Sequence, residues 1–146
     1  ELIVVLRKGK KSDLNNVLNI EIMAYNKPYW NQNMIFEILE KKTDKRLWVF
    51  EANNDVIGFI IDMKCKNEIS LLNIAIHRSL QGMGYGLKML KKYLKSLPGD
   101  FSIYLEVNKN NIKALNMYTK LNFKKVSIRK SYYNDGSDAI NMQLIR

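Results

Sequence analysis

The chain has 146 residues but only one cysteine, one histidine and two prolines. A lone Cys65 cannot close an intrachain disulfide, which fits a reducing compartment and an expected cytoplasmic location. Neither Cys65 nor His77 has companion residues at ligand spacing, so no metal is expected. A Cys–His nucleophilic pair is not expected either: Cys65 reads as a small core or near-surface residue, and His77 as a loop residue at a strand end. Two prolines leave no room for a proline-rich linker, and no repeat or low-complexity block interrupts the chain. No apolar run reaches the roughly 18–20 residues needed to cross a bilayer, so no membrane partner is expected. The short run Leu2–Leu6 has no basic flank before it and no small-residue cleavage site, and it reads as a strand rather than a signal peptide.

Acidic residues are also scarce, 14 against 24 lysines and arginines, for a net charge of +10. Such a field attracts polyanions: a nucleic acid, a ribosomal surface or a phosphorylated cofactor. With no arginine-rich tract and no known nucleic-acid module, direct nucleic-acid binding is not expected. What is present is a globular balance, 47% hydrophobic and 26% charged. That predicts one folded domain over residues 1–146, large enough to need no covalent staple. A monomer or weak dimer is expected.

Residues 2–7 read as a strand. Ser12 reads as an N-cap, followed by Leu14, Val17, Leu18, Ile22 and Tyr25 at helical spacing. Pro28 breaks that helix. A second short helix is expected around Met34, Ile35, Ile38 and Leu39. Two strands, Arg46–Ala52 and Val56–Lys64, flank the turn cluster Asn53-Asn54-Asp55, and a third covers Ile69–Ile76. A glycine-rich loop then leads into a helix. Its expected buried stripe is Met83, Leu87, Leu90, Leu94 and Leu97, with Lys88, Lys91, Lys92 and Lys95 in water. Pro98-Gly99-Asp100 ends it. Phe101–Val107 is a strand, Asn111–Leu121 a helix, and Phe123–Arg129 and Asp138–Ile145 are closing strands. This order predicts a mixed α/β fold: a mostly antiparallel central sheet of about seven strands with about four helices against it.

The loop Gln81-Gly82-Met83-Gly84-Tyr85-Gly86 carries the clearest chemistry. Alternating glycines remove side chains where a backbone must come close to a ligand. Loop N–H groups and the positive end of the following helix make an anion site suited to a pyrophosphate. The spacing is not the G-x-G-x-x-G of a dinucleotide fold, and Gly86-Leu87-Lys88 lacks the Lys-Ser/Thr ending of a P-loop.

Asn73-Ile74-Ala75-Ile76, followed by Arg78 through Gly86, resembles the acetyl-CoA-binding motif of the GNAT acetyltransferases, Arg/Gln-x-x-Gly-x-Gly/Ala. Leu105-Glu106-Val107, Asn110-Asn111, Ala114, Met117-Tyr118 and Leu121-Asn122-Phe123 resemble the family's second motif. Arg129-Lys130-x-Tyr132-Tyr133, Asp138-Ala139-Ile140-x-Met142, Glu21-x-x-Ala24 and Pro28-x-Trp30 are similar to the RimI-type branch, which acetylates ribosomal-protein N-terminal alanines. Two positions depart: Asn122 where that branch has Gly, and Ser137 where an acid commonly precedes Asp138. Asparagine can adopt the left-handed conformation, so the turn at Asn122 is expected to survive.

The resemblance implies a GNAT fold with acetyl-CoA as cosubstrate, held by Ile74, Ala75, Ile76, Gln81, Gly82, Met83, Gly84, Tyr85, Gly86, Asn111 and Tyr118. Ile74 and Ile76 would act through backbone groups on the pantetheine arm. The acceptor would be a protein N-terminus, foremost the N-terminal alanine of a ribosomal protein. Acetyl transfer needs a deprotonated amine, a polarised thioester, a stabilised oxyanion and a protonated leaving sulfur. Ile103, Leu105 and Val107 share one face of their strand, which turns Glu106 to the other face with Tyr104. A carboxylate in a half-desolvated cleft is a better base than one in open water, and Glu106 is the expected base. An α-amino group, of pKa near 8 against about 10.4 for lysine, asks less of it. Tyr118, seven residues after Asn111 and so on one helix face with it, is the expected acid toward the sulfur. Trp30, Tyr132 and Tyr133 either line the acceptor groove or pack.

Two alternatives stay open. One is a GNAT acting on lysine side chains, a polyamine or an aminoglycoside, against which the basic excess argues, because cationic acceptors call for an acidic groove. The other is a non-catalytic acetyl-CoA-binding module, which the joint presence of Glu106 and Tyr118 disfavours.

Overall fold

The computed structural model describes residues 3–24 and 29–146. The positions expected at Leu2, Tyr25 and Pro28 lie outside the described residues. Among the described residues, seven strands form one sheet in the order β1-β2-β3-β4-β5-β7-β6, numbered along the chain. The chain divides into two compact units, residues 1–63 with 73–97, and residues 64–72 with 98–146.

In the first unit, β1 (Val4–Lys8), β2 (Lys45–Ala52) and the start of β3 (Asp55–Cys65) run antiparallel. Asn53 and Asn54 both take positive φ, 50° and 72°, the two-residue hairpin geometry whose twist matches that of the strands. Alternation sorts β2 and β3 into two faces. Leu47, Val49, Phe59 and Ile61 pack with Val17 and Ile20 of α1 (Leu14–Ala24), Ile35 and Ile38 of α2 (Gln32–Leu39), and Trp30. Arg46, Trp48, Phe50, Gly58, Ile60 and Asp62 have the opposite parity. Trp48 meets Tyr93 of α3 (Tyr85–Ser96) edge-on there, with ring centroids 5.5 Å apart. Both sides of these strands are therefore covered, and Leu47 through Phe50 are all buried.

Ser12 does not cap α1. It sits inside a short 3-10 turn, Lys11–Asp13, and Asp13 accepts from the Lys10 amide at 2.7 Å. Arg7 holds that aspartate with two hydrogen bonds of 2.8 and 2.9 Å, tying β1 to the head of α1. Ile22 is 54% exposed and Ile20 is buried instead; Ile22 lies about 140° round the helix from Val17. On α3, Leu90 and Leu97 are buried as expected, and the four lysines are exposed. Met83, however, is 63% exposed, because it precedes the helix and lies off its wheel. Met89 and Tyr93 are fully buried, while Leu87 and Leu94 are only half-buried.

In the second unit, β4 (Glu68–Ile76) pairs in parallel with β5 (Ser102–Asn108) from Glu68↔Ser102 to Leu71↔Leu105. Then β5 pairs antiparallel with β7 (Ala139–Ile145), and β7 with β6 (Lys124–Arg129). All six residues of β6 are exposed, as befits an edge strand studded with Lys124, Lys125 and Arg129. Helix α4 (Ile112–Lys120) ends in a Schellman motif: the Asn122 amide donates to the Thr119 carbonyl and the Phe123 amide to the Tyr118 carbonyl, both at 3.0 Å. Asn122 takes the left-handed conformation, φ 71°, so the asparagine does keep the turn.

Candidate active site

In the first unit, β4 ends at the buried pair Ala75 and Ile76, with Ile74 half-buried before them. The His77 amide donates to the Ile57 carbonyl at 2.7 Å. His77 Nδ1 accepts from the Ser79 amide at 3.2 Å, opening a 3-10 turn over Arg78–Leu80. The Gln81 side chain folds back and donates from Nε2 to the Ile76 carbonyl at 3.1 Å, tying the head of the glycine loop to the strand end. Gly82 and Gly84 both take left-handed φ, 81° and 87°. A Cβ at either would meet no protein atom within 4 Å, so backbone conformation, not crowding within the protein, is what glycine serves there.

Gly84 is the N-cap of α3 and supplies no side-chain cap. The first-turn N–H groups of any helix lack intrahelical carbonyl partners. Here they follow a glycine loop and head a helix with no acidic residue and four exposed lysines. That donor set fits a pyrophosphate. Tyr85 and Gly86 lie in the first turn, with the Lys88 ammonium 5.4 Å from the Tyr85 ring centroid.

In the second unit, Ile103, Leu105 and Val107 are buried and Glu106 projects from the other face of β5, as the alternation predicts. Its side chain keeps 33% exposure, and its Oε1 lies 3.6 Å from Arg129 Nε. The Arg129 guanidinium stands 5.4 Å from the Tyr132 ring, and Tyr132 meets Tyr133 edge-on at 5.1 Å. Burial, then the Glu106 charge, pushes the Tyr133 phenol up. A carboxylate, a guanidinium and two phenols therefore cluster at one end of β5. Tyr104, on the Glu106 face, accepts from Gln143 Nε2 at 3.0 Å.

Tyr118 is 8% exposed and packs edge-on against Phe123 at 5.7 Å. Asn111 does not sit within the helix with it. It is the N-cap of α4, and its Oδ1 accepts from the Ala114 amide at 3.2 Å. Ser137 donates its amide to Asp135 at 2.9 Å, and its hydroxyl accepts from Asn110 Nδ2 at 3.1 Å. The Ser131 amide, with Lys130 and Lys109 near by, holds the Asp138 carboxyl below its ordinary range. Trp30 belongs to the core, while Tyr132 is half exposed. Cys65 is an exposed free thiol. Among the described residues no three histidine, cysteine or acidic side chains stand together as metal ligands, and no helix is long and apolar enough to cross a membrane.

Sequence reading missed one cluster in the first unit. Asp62, with no exposed surface, accepts from Arg46 Nε and Nη2 at 2.9 and 2.7 Å, from Trp48 Nε1 at 3.3 Å, and from the Tyr93 hydroxyl. The available signal was a lone acid inside the apolar run Phe59–Met63.

A sequence profile described as the acetyltransferase (GNAT) family matches residues 14–123. An N-alpha-acetyltransferase of Saccharolobus solfataricus is 30% identical over 94% of this chain and 90% of its own length. The [ribosomal protein bS18]-alanine N-acetyltransferase of Escherichia coli K12 is 30% identical over 91% of each chain. The crystal structure of the ribosomal-protein-S18-alanine N-acetyltransferase from Escherichia coli superposes with a TM-score of 0.82, at 25% identity, over 98% of this chain and 94% of that one.

Proposed function

The chain belongs to the acetyltransferase (GNAT) family, and from that premise we propose that it moves acetyl from acetyl-CoA to a protein N-terminal amine, foremost the N-terminal alanine of a ribosomal protein in the cytoplasm. The observation that carries the cofactor half is the left-handed pair Gly82 and Gly84 feeding directly into the first turn of α3. Gln81 through Gly86 hold the pyrophosphate by backbone N–H groups. Ile74, Ala75 and Ile76 hold the pantetheine arm by backbone groups, and Asn111 and Tyr118 contribute further contacts. The cosubstrate supplies an acetyl group activated as a thioester.

Glu106 takes the proton that the acceptor amine must lose before its lone pair can attack the carbonyl carbon. A backbone N–H at the end of β4 stabilises the negative charge that develops on the carbonyl oxygen. As the carbon–sulfur bond breaks, the Tyr118 hydroxyl gives its proton to the sulfur, so the products are an amide and free CoA thiol. Support for the acceptor comes from two relatives of nearly full length, one named an N-alpha-acetyltransferase and one a ribosomal-protein alanine acetyltransferase.

The deciding assay is release of CoA thiol with an alanine-starting peptide, beside the same peptide with a blocked N-terminus and one internal lysine. Release only with the free N-terminus is expected. Release only with the lysine would overturn the acceptor and keep the chemistry, while no release with either would remove the N-terminal acetyltransferase reading.

A further inference from the structure

The glycine loop is not the only place where this cofactor-bearing segment depends on a missing side chain. Gly58 lies in β3, next to Ile57, whose carbonyl takes the His77 amide. A Cβ built on Gly58 would stand 2.7 Å from Ile76 Cδ1, 2.8 Å from the Ala75 carbonyl oxygen and 3.2 Å from Met89 Sδ. Non-bonded carbon atoms pack best at about 3.5–4.0 Å, so even a methyl group overlaps all three. One of the three is backbone, which cannot rotate away as a side-chain end can. Gly58 lacks the left-handed φ of Gly82 and Gly84, so what it supplies is space.

Each group it admits serves one segment. Ala75 and Ile76 end β4. The Ile76 carbonyl is also the acceptor that anchors Gln81. Met89, fully buried, lies one turn beyond Tyr85 and Gly86 on α3. A displacement at Gly58 therefore acts on the strand end, the loop anchor and the helix together.

We propose that Gly58 is a positioning residue for acetyl-CoA: its bare α-carbon lets the Ala75 carbonyl and the foot of α3 close on β3, and this fixes the backbone of Ile74–Ile76 and the entry into the glycine loop. The inference rests on the reading that this segment carries the cofactor. Gly9 offers a matched control in the same unit. A Cβ there would meet only side-chain atoms, Leu47 Cδ2 at 2.8 Å, Leu47 Cγ at 2.9 Å and Leu39 Cδ2 at 3.4 Å.

The test compares wild type, Gly58→Ala, Gly58→Ala with Ile76→Val, and Gly9→Ala by calorimetric CoA titration, thermal unfolding and steady-state kinetics. The double variant removes Cδ1 and leaves the carbonyl overlap. Both Gly58 variants are expected to bind CoA at least ten-fold more weakly and to raise KM for acetyl-CoA in proportion. KM for the acceptor peptide should stay within two-fold. The double variant should regain thermal stability without regaining affinity, and Gly9→Ala should lose stability alone. CoA affinity within two-fold of wild type in a folded Gly58 variant would overturn the proposal. Should neither fold, the wild type decides by NMR: the Gly58 α-protons and the Ala75 carbonyl carbon are expected to shift on CoA addition, and unmoved resonances would overturn it. A wild type that binds no CoA would sink the cofactor reading itself.

Discussion

The Phe123 amide donates to the Tyr118 carbonyl at 3.0 Å while the two rings meet edge-on at 5.7 Å. Backbone bond and ring contact are two parts of one helix ending, and that ending holds the proposed acid in place. It depends on Asn122, at φ 71°. Most residues lose about 1–2 kcal/mol in that conformation, asparagine less. Asn122→Ala is expected to cost about 1 kcal/mol by urea unfolding and to lower turnover by loosening Tyr118. Asn122→Gly should stay within about 0.5 kcal/mol, relief of strain offsetting added chain freedom. Equal stability of the alanine and glycine variants would show that the left-handed turn carries no weight.

Asp62 joins β2, β3 and α3 through one buried carboxylate. Removing its charge leaves the Arg46 guanidinium and the Tyr93 hydroxyl short of an acceptor. Asp62→Asn is expected to cost about 3–5 kcal/mol, and Tyr93→Phe about 1–3 kcal/mol. Burial, then the Asp62 charge, pushes the Tyr93 phenol well above the ordinary tyrosine value. Above about pH 10 the unfolded chain gives up this proton and the folded chain keeps it. The stability contribution is therefore complete below that pH and is lost as pH rises further. Urea midpoints from pH 8 to 11 should fall more steeply for wild type than for Tyr93→Phe; parallel slopes would remove Tyr93 as the cause.

Acid should act at a second ion pair in the same unit. The hydrogen bonds from Arg7 hold the Asp13 carboxyl below its ordinary range, and the Lys10 amide adds to them. The folded value is depressed, so the contribution is present above about pH 4 and is lost as pH falls through the folded value. Asp13→Asn is expected to cost about 1.5–3 kcal/mol at pH 7. The gap to wild type should narrow below pH 4. A gap that stays constant down to pH 2 would mean that the pair's charge is irrelevant.

What could be read from sequence was local. Period-two alternation put Glu106 on the opposite side of β5 from Ile103, Leu105 and Val107, because burial of one strand face is a nearest-neighbour property. Asn53-Asn54 announced its hairpin for a similar reason: asparagine tolerates positive φ. The glycine loop was legible through its spacing, and Gly82 and Gly84 do take the left-handed conformation that leads into α3. Asp62 was not legible, because its partners lie 16, 14 and 31 residues away in the chain. Nothing in the stretch Val56–Phe59 singles out Gly58; its space is needed only because the fold brings the Ala75 carbonyl beside it. The wheel drawn for α3 began at Met83, two residues before the helix does, and that shift in origin hid Met89 and Tyr93.

The proposed roles of Glu106 and Tyr118 separate in kinetics. Glu106 keeps a third of its side-chain surface and sits beside Arg129, so replacement by glutamine removes a proton acceptor without opening a cavity. Glu106→Gln is expected to lower turnover by about 10²–10⁴-fold, the usual range for a general base, with CoA affinity unchanged by calorimetry. Raising the pH should recover part of the loss, since an amine that is already neutral needs no base. Tyr118→Phe keeps the edge-on packing on Phe123 and removes the hydroxyl, so turnover is expected to fall while CoA affinity, read by calorimetry, is retained. An acetyl-donor thioester with a more acidic thiol should narrow the Tyr118→Phe deficit, because such a sulfur leaves without a proton. It should leave the Glu106→Gln deficit in place. If both variants respond alike to the better leaving group, the two residues do not divide the proton transfers as proposed, and one group serves both steps.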